Sequence, residues 1–272
     1  MLSTPGKYNA QGIDVFSEDW DNLLILDACR YDYFDACSDL SGRLESRISK
    51  ASSTREWVWA NFTDKQLHDV VYVSANPNFR KVADDIEAEV HAYIDVWDEV
   101  AGDGGANIVP PETVTEVTLE VAAEYPRKRL LVHYVQPHYP FLGPTGRKMF
   151  DPSTTLRDTS RHVSENAPEL RSAYKENVDI VLAEVSDLLP KLQGKTVVSA
   201  DHGELLGERL SPIPFRAYGH PLGVYVDELV TVPWHVYING ARKDIVAEPP
   251  IDADSIDPER IERQLRDLGY VT

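Results

Sequence analysis

Two rhythms of apolar residues alternate along the chain. Short unbroken runs have the length of buried strands: Leu23 to Leu26, then "DVVYVSANP" (69–77) with its Asn-Pro breaker, "KRLLVHYVQPHYPF" (128–141), "KTVVSA" (195–200) and "TVPWHVYI" (231–238). Between them apolar residues recur every three or four positions. "PPETVTEVTLEVAAEYP" (110–126) reads as a helix with proline at its start. "ELRSAYKENVDIVLAEVSDLLPKL" (169–192) places Tyr174, Val178, Val181, Leu182, Val185 and Leu189 on one helical face. "DPERIERQLRDLGY" (257–270) reads as a helix with Asp257 as N-cap and Pro258 at its first position. Helical spacing also follows Asp27, and it recurs at Trp57, Val58, Asn61 and Phe62. "KVADDIEAEVHAYIDVWDEV" (81–100) is expected to begin as a loop and become helix, and the polar stretch 143–168 to be a long surface loop, a candidate lid.

Short apolar strands alternating with amphipathic helices predict an α/β protein with helices layered on a mostly parallel central sheet. No repeat, low-complexity tract or linker divides the 272 residues, so a single domain over 1–272 is expected. A 42% hydrophobic and 26% charged composition is globular, and no apolar run reaches the roughly 18 residues of a membrane span. The N-terminal segment lacks the long apolar stretch of a secretory signal, so the expected location is cytoplasmic. Cys29 and Cys37 fall in what reads as one helical segment and suggest no disulfide framework.

The net charge is −18, and Arg (17) outnumbers Lys (10). Such a field repels nucleic acid and anionic membranes as general partners, and it matches a halophilic, high-salt cytoplasm. An anionic substrate would then need a local countercharge, which a divalent cation supplies.

In α/β sheets, ligands bind at the carboxyl ends of strands. Those ends carry Asp27, His138, Asp201 and His202. In "VVSADHGELLGER", Gly203 would let the backbone turn so that Asp201 and His202 reach one point. "KASSTREWVWANF" puts Ser52, Ser53 and Thr54 just before a helical run, where a hydroxyl serves as a cap or faces an anionic ester. Carboxylates, an imidazole and a hydroxyl together suit zinc, manganese or magnesium.

These motifs resemble the sulfatase-like members of the alkaline phosphatase superfamily. "LLILDACRYDYF" is similar to their D-x-x-R-x-D opening, and "VHYVQPHYPF" to their P-H-x-P-[YF] segment. "VVSADHGELLGER", "YGHP" and "YVDELVTVPWHVYI" are similar to their D-H-G-E-x-x-G-E, G-H and E-x-x-x-V-P run. Order and spacing agree from about residue 20 to 240. The resemblance implies an alkaline-phosphatase-like α/β/α sandwich without the large C-terminal subdomain of many sulfatases. It implies that Asp27, Thr54, Asp201 and His202 bind metal and that Thr54 is the nucleophile, with Ser52 and Ser53 as alternatives. His138 and His220 would contact the transferred or leaving group, and His220 is a candidate to complete a second metal site. Arg30 is expected to be structural, paired with an acid.

The C/S-x-P/A-x-R pattern of formylglycine sulfatases is missing: Glu56 stands four residues after Ser52, and Trp57 four after Ser53. That favours a metal-dependent phospho-ester hydrolase or phosphotransferase using an unmodified threonine. The ester would be anionic, with a glycan or lipid-linked group among the candidates. The alternatives are a sulfuric ester hydrolase, which would use calcium, and a non-catalytic scaffold or binding relative.

Overall fold

The computed structural model describes residues 8–97, 108–152, 156, 168–210 and 216–251. Strand β1 (Asn22–Leu26) lies at its centre, buried along its whole length. It pairs in parallel with β5 (Arg129–Tyr134) on one side and β6 (Gly194–Ser199) on the other. Successive side chains face opposite ways. Leu23 and Ile25 pack among Trp57, Val58 and Phe62 of helix α2 (Thr54–Phe62), with Phe79 of α3 (Asn78–Val82). Leu24 and Leu26 join the other core. There they meet Phe34 of α1 (Tyr31–Cys37), Val114 and Val121 of α4 (Pro111–Glu124), and Val178 and Val185 of α6 (Pro168–Leu188). A strand that is apolar on both faces needs helices on both sides, and the expected three α/β/α layers result.

The remaining strands are β2 (Arg43–Ile48), β3 (Gln66–Ser74), β4 (Glu89–Asp95) and β9 (Thr231–Asn239), and the sheet order is β2-β9-β6-β1-β5-β3-β4. β9 runs antiparallel to β6 and β2, whereas the other pairings are parallel. A separate hairpin joins β7 (Leu205–Arg209) to β8 (Arg216–Gly219), and there are short helices α5 (Pro144–Met149) and α7 (Asp227–Val230) and 3-10 turns at Val15–Ser17 and Leu189–Lys191. No helix among the described residues is long and apolar enough to cross a membrane.

The structure corrects several sequence expectations. Within 81–100, helix α3 ends at Val82 and Glu89–Asp95 is an edge strand instead of a helix. Its valine, tyrosine and isoleucine suit a pleated surface, and parallel pairing with β3 outweighs the three-to-four spacing. β2 and the β7–β8 hairpin were not expected, because their residues are too polar to read as buried strands. The stretch 143–168 opens with α5, not a loop; most of its remainder, with the lid expectation, lies outside the described residues, as does 257–270. Cys29 precedes α1 instead of sharing it with Cys37, and both thiols are free.

Past β9 the chain becomes a strap across the amino ends of the strands. Arg242 bonds Asp19 and Asp21, and Lys243 Nζ donates to Asn22 Oδ1 and to the Lys128 carbonyl. Backbone bonds from Val246, Glu248 and Ile251 then reach Arg127, His68 and His91 in turn.

Candidate active site and metal centre

The carboxyl ends of β1, β3, β5 and β6 meet at the opposite pole. Asp27 directly follows β1, and Ala28 after it adopts φ +61°, a left-handed conformation costing an L-residue roughly 1–2 kcal/mol. Two contacts hold this turn: the Ala28 N–H donates to Asp201 Oδ1 (3.0 Å), and Tyr174 Oη donates to the Ala28 carbonyl (2.6 Å). Asp201 Oδ1 also accepts from the His202 N–H at 2.9 Å. With Oδ1 committed to two backbone donors, Oδ2 is the free face of this buried carboxylate, and it has no hydrogen-bond partner.

Thr54 is the first residue of α2, behind the N-cap Ser53. Its hydroxyl lies 3.3 Å from Asp27 Oδ1 and 3.2 Å from His202 Nε2. His202 Nδ1 donates to the Gly203 carbonyl (2.7 Å), so Nε2 presents its lone pair. That lone pair sits 3.6 Å from Asp27 Oδ1 and 3.3 Å from Asp201 Oδ2. Burial first, then His220, drives the His202 pKa well below its usual value, so the ring does not supply a positive charge. The His202 Nε2 lone pair thus faces an oxygen of each of the two carboxylates, a donor set of the kind that binds a cation.

The spacing fits one. Ligand bonds of about 2.0–2.1 Å in a tetrahedron put neighbouring donor atoms roughly 3.3–3.4 Å apart. The four distances above, 3.2 to 3.6 Å, bracket that edge. Asp27, Thr54, Asp201 and His202 could therefore hold a small divalent ion, and His133 also offers a ligand atom within 4.8 Å of those of Asp27 and Asp201.

A second group stands beside the first. His138, Glu204 and His220 offer ligand atoms within 4.8 Å of one another. Ring centroids of His220 lie 4.6 Å from His202 and 5.0 Å from His138, so His220 links the two groups. His138 Nδ1 donates to the Tyr139 carbonyl, leaving Nε2 as an acceptor. Burial, then His220 and His202, holds its pKa far down. For His220 burial also works against the charged form, but Glu204 at 3.2 Å, with Asp201 beyond it, raises its pKa.

The other hydroxyls of the "SST" run are engaged elsewhere. Ser53 caps α2, its Oγ accepting from the Glu56 N–H. Ser52 binds buried Glu56 through its N–H (2.7 Å), and its one hydroxyl proton lies between Glu56 (3.1 Å) and the Pro221 carbonyl (3.0 Å). Tyr225 Oη donates to the other Glu56 oxygen, so one carboxylate ties the helix of Thr54 to the loop after His220. Arg30 pairs with Asp32 and Glu208 at 2.7 Å each. Its Nη1 also supports the Glu204 carbonyl, which makes it a brace for this pole.

Sequence reasoning missed three residues here. Asn76 donates to Asp27 Oδ2 at 2.6 Å, though "SANP" read only as a breaker. Glu204 went unassigned despite its place in "DHGE". His133, inside β5, was counted as strand. Gly203 is needed for a different reason than expected: a Cβ there would lie 2.0 Å from the Glu228 carbonyl, so close approach, not a positive φ, requires glycine.

No protein-family model matches the chain, and no curated protein matches it. Solved structures do. The integral membrane lipooligosaccharide phosphoethanolamine transferase A (EptA) from Neisseria meningitidis aligns with 79% of this chain and 47% of its own, at 14% identity and a TM-score of 0.52. The C-terminal periplasmic domain of phosphoethanolamine transferase EptC from Campylobacter jejuni aligns over 79% of this chain and 78% of its own, at 13% identity and a TM-score of 0.51. The chain spans about half the length of the first. At such identity the likeness is one of fold, helices layered on both faces of a mostly parallel central sheet.

Proposed function

We propose that the chain is a metal-dependent enzyme that transfers or hydrolyses a phospho-ester through Thr54, within a single catalytic domain. One observation carries the reading. The Thr54 hydroxyl opens a helix beside Asp27, His202 and an unpartnered Asp201 oxygen, at the spacing of a tetrahedral metal site. The fold shared with two phosphoethanolamine transferases supports a phospho-ester over a sulfuric ester, and an alcohol as acceptor. A glycan or lipid-linked hydroxyl is the class of acceptor we favour.

Held by Asp27, Thr54, Asp201 and His202, a zinc, manganese or magnesium ion would lower the hydroxyl pKa and draw charge from the phosphoryl oxygens. Thr54 Oγ1, its proton released to bulk water, attacks phosphorus in line, and the bond to the leaving oxygen breaks. The first turn of α2 directs its amide dipoles toward the equatorial oxygens. His220, kept readily protonated by Glu204, gives its proton to the leaving alkoxide, and His138 orients that oxygen. Water or an acceptor alcohol, deprotonated by His220, then takes the phosphoryl group from Thr54. The trio His138, Glu204 and His220 has the donor set for a second ion. Two equivalents of bound metal per chain would assign it that role in place of proton transfer.

The test is turnover of nitrophenyl phosphate, bis-nitrophenyl phosphate and nitrophenyl sulfate in high potassium chloride with each metal. Phosphate ester turnover, lost in Thr54→Ala and Asp201→Ala, is expected. Turnover of the sulfate alone would replace this reading with a calcium-dependent sulfatase. Silence on all three with no bound metal would leave the scaffold reading.

A further inference from the structure

His133 lies in mid-sheet, its backbone paired with Ile25 of β1 and Ser74 of β3, and its side chain is fully buried. One ring nitrogen, Nδ1, is 2.9 Å from the Tyr72 hydroxyl. The other, Nε2, is 3.8 Å from Asp201 Oδ2. Neither Nε2 nor that oxygen has a hydrogen-bond partner, and both are buried. Two orphaned polar atoms facing each other in a core call for a physical reason.

Tyr72 decides which atom carries the hydrogen. Its buried phenol keeps its proton, and that O–H needs an acceptor. The nearby Ser74 hydroxyl already donates to the Asn76 carbonyl and accepts from the Asn76 N–H. The 2.9 Å contact makes His133 Nδ1 the acceptor for Tyr72 Oη, which puts the single hydrogen of the ring on Nε2, the nitrogen facing Asp201 Oδ2. The opposite tautomer would leave a lone pair on Nε2 facing a carboxylate. Trp57 meets the ring edge-on at 5.7 Å and Tyr72 stacks on it at 6.3 Å, which holds its plane.

We infer that Tyr72, His133 and Asp201 form a positioning relay: Tyr72 sets the His133 tautomer, and His133 orients the Asp201 oxygen that binds the metal. This inference rests on the metal site proposed above. Outer donors of this kind typically change metal affinity by about 10- to 100-fold when removed. The contact is 3.8 Å, longer than a hydrogen bond, and a shift of under about 1 Å brings it into range.

The experiment is cobalt(II) titration of the full chain, followed by calorimetry and by the visible absorption of the bound ion. It compares wild type, Asp201→Asn, His133→Phe, His133→Gln and Tyr72→Phe, with thermal unfolding as a check on folding. We expect His133→Phe to weaken cobalt binding about 10- to 100-fold without changing the band pattern, since the donor atoms are the same. His133→Gln, which keeps an N–H near the Nε2 position, restores most of the affinity, and Tyr72→Phe loses a few-fold. A wild-type affinity in folded His133→Phe overturns the relay. An altered band pattern in that variant overturns it too, by making His133 a ligand. Absence of cobalt binding in wild type overturns the metal site itself, and the relay with it.

Discussion

Asp21 precedes β1 and Asp27 follows it, and both carboxylates are buried. Their surroundings differ. Asp21 Oδ2 accepts from the Lys195 N–H (2.7 Å) and from Arg242 Nε (2.5 Å), and neighbouring Lys128 and Lys243 each donate to carbonyl or amide oxygens. Acid and base alternate there, and the polar atoms named all have partners. At the pole of Asp27 the His202 Nε2 lone pair faces Asp27 and Asp201, Asp201 Oδ2 has no hydrogen-bond partner, and Glu204 meets His220 close by. Buried charge is costly unless paired. The strap pole pairs it within the chain, while the other pole gathers the donor atoms of the proposed metal site.

The same isosteric change at each pole puts the largest contrast to the test. Asp201→Asn removes a ligand of the proposed metal site, so phospho-ester turnover should fall by about a thousandfold or more. Metal-free, that variant should unfold at the wild-type temperature or above it, because asparagine keeps an acceptor for the two backbone N–H groups and ends the repulsion with His202. Asp21→Asn should do the reverse: unchanged turnover per folded molecule and a stability loss of about 2 kcal/mol from weakened charge-assisted hydrogen bonds. Melting of both apo variants alongside turnover measures the contrast. A large apo destabilisation in Asp201→Asn would mean that its carboxylate is structural.

What was legible in the sequence follows the same division. That Asp27, Asp201 and His202 gather at one place was readable because each stands where an apolar run stops, at the carboxyl end of a strand. Thr54 was readable from its place before a helical run. Glu204, Asn76 and His133 were not, because their roles depend on partners across the sheet: Asn76 matters through Asp27, 49 residues away in the chain, and His133 through Tyr72 and Asp201. The strap was invisible for a related reason. Its residues have no period of their own and are held by the strand ends that they cross. β4 was misread because spacing alone cannot separate a short helix from an edge strand whose partner lies outside the window.

Backbone strain gives a finer comparison within the catalytic pole. Ala28 is one of three non-glycine residues with positive φ among those described, and it holds the turn between Asp27 and Arg30. Ala28→Gly removes the Cβ from a conformation that disfavours it, so the variant should be more stable by about 1 kcal/mol in denaturant unfolding. The looser turn lets the Asp27 carboxylate wander, and turnover should drop several-fold. A gain in both stability and activity would show that the strain plays no part in positioning Asp27.

The strap pole carries the smallest effect, and it is one of pH. Half-buried Lys243 lies under β1, where burial brings its pKa down to about 8, with Asp21 pulling the other way. In the unfolded chain its ammonium keeps a proton up to its ordinary value of 10.5. Above about pH 8 the unfolded state therefore binds more protons than the folded state, and stability should rise with pH through this group until about 10.5. Below pH 8 both states are charged, and the group adds no slope. Between pH 7.5 and 8.5 the gain should be under about 1 kcal/mol. Urea midpoints of wild type and Lys243→Met at those two values isolate it, because the thiols and phenols that titrate nearby are common to both proteins and cancel in the difference. Equal slopes would mean that the amine is hydrated in solution and the strap only loosely seated, and the contrast between a closed pole and an ion-dependent one would then rest on Asp21 alone.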